Sequence, residues 1–261
     1  MTAADPTHPK PRVVATIEAR MSSSRLPGKV LKEVLGRPLL GYLLERLRRC
    51  ETIDEIILAT STNPKDEPIA RLCEAEGCRC YRGSEEDVLG RVAEAAALGR
   101  PDIWVEISGD CPLIDPEVVD RIVRAKLETG RQVVSNYLQR TYPAGMDCIV
   151  FDYELLRLSS EEATTARHRE HVALYVLEHA DRFTFGHVLA PPALDRPWLR
   201  LLVDYPEDYQ VIRTVFEDLY PKDPRFGLAD VIALVDRLGL DRINDHVWPK
   251  NVIGMPPRKG V

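Results

Sequence analysis

The stretch "RVVATIEARMSSSRLPGKVL", residues 12–31, changes character halfway. Its first half is apolar and rich in β-branched residues, the composition of a buried strand. Its second half packs Arg20, Arg25, Lys29, three consecutive serines and Gly28 into a few positions. A strand that runs straight into a cationic, small-residue loop is where open α/β sheets place ligands, outside the carboxyl ends of their strands.

The segments beyond it repeat the same alternation. "RPLLGYLLERLRRC" has helical apolar spacing, "EIILATS" is strand-like, "DEPIARLCEAEG" helical, "CRCYRG" strand-like, "EEDVLGRVAEAAALG" helical and "DIWVEISGD" strand-like. Such alternation predicts an α/β fold with a mostly parallel sheet flanked by helices. The punctuation agrees. Pro38 suits the first turn of its helix, Gly77 the end of the next, and in "DPEVVD" Asp115 reads as an N-cap with Pro116 at the first helical position. Beyond about residue 130 the order loosens. "VVSNY", "CIVFDY", "FTFGHVLA" and "WLRLLVDY" are expected strands, "ARHREHVALYVLEHA" a long helix, and the region an antiparallel insertion in the same domain. The expected boundaries are a disordered segment over 1–11, one domain over 12–247 and an extended tail over 248–261, where "WPKNVIGMPPRKGV" is too proline-rich for a helix.

Composition narrows the function classes. With 261 residues, 44% apolar and 29% charged, the chain has the make-up of a soluble globule that needs no metal or disulfide staple. The formal net charge of -6 argues against a general nucleic-acid binder, so the cations of the opening loop read as a local site. No apolar run is long enough to span a bilayer, no membrane association is expected, and the polar N-terminus has no signal-peptide core, which together predict a cytoplasmic protein. Six scattered cysteines suit a reducing compartment. Their one cluster, "CEAEGCRC", lacks the paired CxxC spacing of a zinc site and reads as ordinary thiols.

Two familiar phosphate loops fail on the opening stretch. A P-loop needs Gly where Ser23 stands and Ser or Thr where Val30 stands, and GxGxxG is absent. What remains is either a solvated basic loop or a polyphosphate cradle. In the second reading Arg20, Arg25 and Lys29 supply charge while Ser22, Ser23 and Ser24 keep the backbone close. "EISGDCPLIDP" puts Asp110 at a strand end beside that loop, as a Mg²⁺ ligand or a residue bonding the next turn. In "RLLVDYPEDYQVI" Asp204 again ends an apolar run, whereas Glu207 and Asp208 suit the first turn of the following helix. His168 and His171, spaced i, i+3, allow either a metal or plain helix packing.

"ARMSSSRLPGKVL", "SGDCPLIDP", "SNYLQRTYPAGMD", "REHV" and "VDYPEDY", in this order, resemble the spore coat polysaccharide cytidylyltransferase-like family, related to enzymes that activate 3-deoxy-manno-octulosonate and acylneuraminates with CTP. The resemblance spans roughly residues 12 to 220 and implies a Rossmann-like, GT-A-like nucleotidyltransferase fold. It implies a Mg²⁺-dependent reaction of CTP with an acidic sugar, and a homodimer. Carried over by motif, Ala19, Arg20, Ser22, Ser23, Ser24, Arg25, Lys29, Ser108 and Asp110 would bind the nucleotide, with Lys29, Arg20 and Asp110 catalytic. Asp110 and Asp204 would hold the metal, and Asn136, Tyr142, Asp147, Arg169 and His171 would meet the acceptor. Four positions depart from the family pattern: Glu18 for Gln, Ser22 for Gly, and Ala144 and Ile149 where acids are frequent. Alternative readings are a sugar-phosphate or phosphonate nucleotidyltransferase, a silent nucleotide-binding module, and a GT-A glycosyltransferase. The last usually carries a DxD triplet, and this chain has none.

Overall fold

The computed structural model describes residues 10–247, so most of the expected disordered N-terminus and all of the expected extended tail lie outside the described residues. In chain order the main elements are β1 (Val13–Glu18), β2 (Glu33–Val34), β3 (Arg37–Pro38), α1 (Leu39–Leu47), β4 (Glu55–Ser61), α2 (Glu67–Ala75), β5 (Arg79–Gly83), α3 (Val88–Gly99) and β6 (Ile103–Ser108). They continue with α4 (Pro116–Thr129), β7 (Val133–Ser135), β8 (Ile149–Asp152), α5 (Tyr153–Glu162), α6 (Ala166–Glu170), α7 (Leu174–Glu178), β9 (Phe185–His187), α8 (Pro206–Leu219), α9 (Leu228–Leu238) and α10 (Asp241–Asn244).

Seven strands form one sheet in the order β5-β4-β1-β6-β8-β7-β9, and a small β2-β3 hairpin stands apart. β5, β4, β1 and β6 are mutually parallel, β8 is antiparallel to both neighbours, and β7 and β9 pair in parallel. The expected antiparallel insertion is thus a single reversed strand. Strand pleating separates two cores. Val13, Ala15 and Ile17 of β1 pack on the face carrying α1, α4, α8 and α9, while Val14 packs on the opposite face with α3 and α5.

The order matters for function. From β1 the chain builds outward through β4 to β5, then crosses back to lay β6 on β1's other side. The loops leaving β1 and β6 therefore diverge from adjacent strand ends and leave a crevice between them. Gly109 sets its floor: its N–H donates to the Glu18 carbonyl at 2.9 Å, and a Cβ here would lie 2.6 Å from that oxygen.

Three local expectations change. Pro38 is the N-cap of α1 rather than part of its first turn. The long helix breaks into α6 and α7 because His171 is extended, with ψ of 100°, and interrupts the ladder. The "WLRLLVDY" segment is not a sheet strand. It runs extended, pairing with Ala144 through bonds at Leu199 and Leu201, and Val203 donates to the Asp110 carbonyl at 2.9 Å.

Candidate active site

The β1 loop is folded on itself by backbone bonds. Ser23 and Gly28 N–H groups both donate to the Met21 carbonyl, at 2.9 and 3.0 Å, and Gly28 takes a left-handed φ of 69°. Leu26 and Val30 anchor the loop in the core, and buried Asp66 accepts from Met21 N–H at 2.7 Å. Outside, Ser22 donates to Glu85 at 2.9 Å. The loop therefore faces the crevice with its cations and hydroxyls, enclosing a cavity of about 470 Å³.

At its centre Lys29 Nζ donates to Asp110 Oδ2 at 2.5 Å and to Asp204 Oδ1 at 2.7 Å. The two carboxylates, nearly a hundred positions apart in sequence, thus lie within two hydrogen-bond lengths of each other. Burial by itself would lower the Lys29 ammonium, but Asp110 and Asp204 outweigh it and hold it above its ordinary value. Burial would likewise raise Asp204, and Lys29 and Arg25 hold it below the usual carboxylate range. Ser108 donates to Asp110 at 2.7 Å, and Arg25 reaches Asp204 at 2.7 Å while lying over the Tyr205 ring.

Asp204 is positioned from behind. Asp208, fully buried, accepts from the N–H groups of Asp204 and Tyr205 at 2.9 Å each. It also takes a two-pronged bond from buried Arg200, at 2.7 and 2.8 Å. Asp208 is thus the first-turn acid expected of α8, and the same carboxylate fixes the backbone of the site.

The cavity gathers every residue expected for the nucleotide: Ala19, Arg20, Ser22, Ser23, Ser24, Arg25, Lys29, Ser108 and Asp110, together with Asp204. The residues expected for the acceptor are dispersed. Only His171 lines this cavity. Asn136 is buried, donating to the Met146 carbonyl at 2.6 Å and accepting from Cys148 N–H at 3.0 Å, which closes the 136–148 loop. Asp147 is held by Arg140 at 2.5 and 2.9 Å. Arg169 donates to the carbonyls of Ala163 and Ser160 at 2.9 Å and reaches Asp87 at 3.3 Å. Tyr142 is buried beside a different cavity with Asp115 and Phe226. Ala144 and Ile149 are core residues, 1% exposed, so their departures from the family pattern lie beneath the surface. His168 points away, bonding Glu178 at 2.7 Å.

Five residues of the cavity lining, Glu18, Val30, Val88, Arg91 and Glu170, are not among the expected site residues, and two of them carry buried charge deep in it. Arg91, 2% exposed, sits on the apolar stripe of α3, where a lone arginine between Val88 and Val92 is the sequence signal. Glu18 lies on the α3 face of the sheet near Glu106 of β6. Enclosure, and then the charge of Asp110, push the Glu18 carboxyl up to about 7 against the opposing pull of Arg91, Arg20 and Lys29. Burial and Glu18 push Glu106 well above its ordinary value, and one of its oxygens has no hydrogen-bond partner.

A divalent cation fits this donor set. Asp110 and Asp204 are hard oxygen ligands that converge here on the Lys29 ammonium, which a cation between them would displace, and among the described residues no third His, Cys, Asp or Glu joins them. That matches ions that bind one or two carboxylates and complete their shell with phosphate oxygens and water.

The cytidylyltransferase family profile matches residues 14–203. The chain is 31% identical over 230 residues to the spore coat polysaccharide biosynthesis protein SpsF of Bacillus subtilis (strain 168), covering 86% of this chain and 94% of that one. It is 32% identical over 240 residues to a 3-deoxy-manno-octulosonate cytidylyltransferase of Nitratidesulfovibrio vulgaris, covering 75% and 92%. A cytidylyltransferase structure from Leptospira borgpetersenii superposes with a TM-score of 0.83 at 29% identity, over 89% of this chain and 97% of that one. The sheet and its flanking helices are accordingly the Rossmann-like nucleotidyltransferase fold.

Proposed function

The chain belongs to the cytidylyltransferase family and is a nucleotidyltransferase, and from that premise we propose that it joins the α-phosphorus of CTP to an oxygen of an acidic sugar. The bond formed is acceptor oxygen to α-phosphorus, the bond broken is α-phosphorus to the bridging oxygen, and pyrophosphate leaves with its charge while the acceptor proton is lost to solvent. The observation that carries the reading is Lys29 shared between Asp110 and Asp204 inside the cationic loop.

In this reading Arg20, Arg25 and Lys29 neutralise the β- and γ-phosphates and the departing pyrophosphate, and the backbone of Ser22, Ser23 and Ser24 with the hydroxyls of Ser23 and Ser24 crowds against them. Asp110 and Asp204 would hold Mg²⁺, which when bound supplies charge neutralisation and favours an ionised acceptor oxygen. Ser108 and the buried Arg200–Asp208 pair keep those two carboxylates in place. Catalysis is then mostly positioning and electrostatics. The kinship with SpsF and the octulosonate enzymes supports an acidic sugar and a role in cell-surface polysaccharide formation. His171, at the cavity mouth, is the acceptor-side residue best placed for contact, and Asp147 becomes available only where Arg140 lets it go. A homodimer is proposed on kinship alone.

Pyrophosphate release measured with each nucleoside triphosphate against nonulosonic acids, octulosonates, sugar phosphates and phosphonates tests this. Turnover is expected with CTP and an acidic sugar, and Asp110→Asn should lower kcat/KM at least ~100-fold. Undiminished turnover in that variant sinks the metal assignment, and turnover only with sugar phosphates or phosphonates replaces the acceptor class.

A further inference from the structure

The cluster "CEAEGCRC" has no part in the nucleotide site, yet its geometry is specific. Helix α2 ends in a left-handed residue, Gly77, with φ of 62°. The N–H of Cys78 donates to the Cys73 carbonyl at 2.8 Å and that of Gly77 to the Glu74 carbonyl at 3.1 Å. These two bonds define a Schellman motif in which Cys73 is the third residue from the helix end and Cys78 the second beyond it. The motif usually brings those two side chains together as an apolar contact. Here both are thiols. With standard bond lengths the 2.8 Å bond holds the two Cα atoms within about 6.7 Å, inside the range of about 4.4–6.8 Å that a disulfide spans.

The two thiols differ in environment. Cys73 is fully buried, whereas Cys78 is partly exposed and lines a surface cavity of about 380 Å³ with Arg48 and Arg79 at its rim. Asp54 and Glu55 share that lining, where Glu55 pairs with Arg79 at 3.0 Å and Arg48 with Glu76 at 3.0 Å. Hydrogen bonding to Cys73 first, and then the Arg48 guanidinium, hold the Cys78 thiol below its ordinary value despite its burial, while Cys73 is pushed up. A partly exposed thiol of lowered pKa beside a buried partner is the arrangement of a peroxide-reactive cysteine and its resolving cysteine.

We propose that Cys78 and Cys73 form an oxidation site for small hydroperoxides. The Cys78 thiolate attacks the peroxide oxygen, the O–O bond breaks, and the sulfur becomes a sulfenic acid while hydroxide, or an alcohol after protonation, departs. The Cys73 thiol, losing its proton, then attacks the Cys78 sulfur and displaces water, leaving a disulfide across the end of α2. The sum is two thiols oxidised and one hydroperoxide reduced. Cys80, on β5, also approaches Cys73 and is likewise held below its ordinary value by hydrogen bonding to it, but only Cys78 has its backbone tied to that of Cys73 by the turn. The site stands apart from the nucleotide cavity, since no cysteine lines that cavity.

The full-length chain, treated with limiting hydrogen peroxide in the presence of a chelator, alkylated and digested, gives the answer by peptide mass. The expected product is a Cys73–Cys78 crosslink that lacks two hydrogens. Cys73→Ser should accumulate a Cys78 sulfenic acid that dimedone traps. Cys78→Ser should slow peroxide consumption about tenfold, the gain expected from one activated thiol. Each variant's circular dichroism spectrum separates this chemistry from misfolding. A crosslink to Cys80, oxidation spread evenly over the six cysteines, or a sulfenic acid that persists on Cys78 with Cys73 intact overturns the proposal.

Discussion

The β1 loop and the 136–148 loop carry similar densities of polar residues, and they use them in opposite ways. In the β1 loop the charged groups point into a cavity and bond one another across it: Lys29 to Asp110 and Asp204, Arg25 to Asp204. In the 136–148 loop they turn inward and bond their own backbone or each other, as Asn136 does with Met146 and Cys148 and Arg140 with Asp147. Gly145 shows how tightly that second loop is packed. It sits at φ of 98°, and a Cβ there would lie 2.5 Å from the Leu201 backbone. A residue type that fits a ligand also fits a turn, and only its hydrogen-bond partners tell the two apart.

The largest effect separating the regions is on turnover. Lys29→Ala removes the cation that both carboxylates share and, on the proposed function, the charge offered to the departing phosphates, and should lower kcat/KM by about 10³. The fold should survive, because Arg25 at 2.7 Å and Arg200 at 3.5 Å continue to neutralise Asp204. Pyrophosphate-release kinetics beside a denaturant titration check this, and a loss below tenfold would return the loop to a solvated basic surface.

Legibility from sequence follows the same division. The parallel sheet is readable because each buried strand and amphipathic helix carries its own period, and Asp110 and Asp204 stand out because each follows an apolar run to its end. Asp204 was readable even though "WLRLLVDY" is not a strand. An extended segment pinned to Ala144 and Asp110 keeps the same composition as one in a sheet. Tyr142 and Asn136, expected at the acceptor, are buried for a physical reason. Whether a polar side chain on a long loop faces ligand or core depends on contacts with distant residues, here Cys148 for Asn136 and the α4 and α9 termini near Tyr142, that no local pattern encodes. Arg91 and Arg200 leave a legible trace, an arginine within an apolar stripe, but the trace says only that the charge has a partner.

The second loop predicts the reverse phenotype. Asn136→Ala leaves the Cys148 N–H and Met146 carbonyl unpaired in a buried place and should destabilise the chain by about 1–3 kcal/mol. Its acceptor KM should stay within about threefold, since small changes of this kind amount to well under 1 kcal/mol. Thermal unfolding and acceptor titration measure the two quantities separately. A large KM change without destabilisation would make Asn136 an acceptor ligand and erase the contrast between the loops.

Glu18 gives the smallest and sharpest test, because it is where the β1-loop cavity carries a polar group at a cost in stability. Its carboxyl is held up to about 7, first by enclosure and then by Asp110, against an unperturbed value of 4.5. The folded chain therefore holds this proton more tightly than the unfolded one. That contribution is complete below pH 4.5 and is lost as pH rises through about 7, so unfolding free energy should fall with pH across that window. Glu18→Gln keeps the shape of the side chain and removes the titration. It should be more stable than the parent at pH 8, indistinguishable from it or slightly less stable at pH 4, and flatter in between, with the change in midpoint read by urea titration at each pH. Part of the slope will persist through Glu106, whose carboxyl is also raised and whose repulsion by Glu18 is relieved in the variant. Equal slopes in variant and parent would mean that the cations of the β1 loop already balance Glu18. The β1-loop cavity would then carry its charges with no more strain than the 136–148 loop.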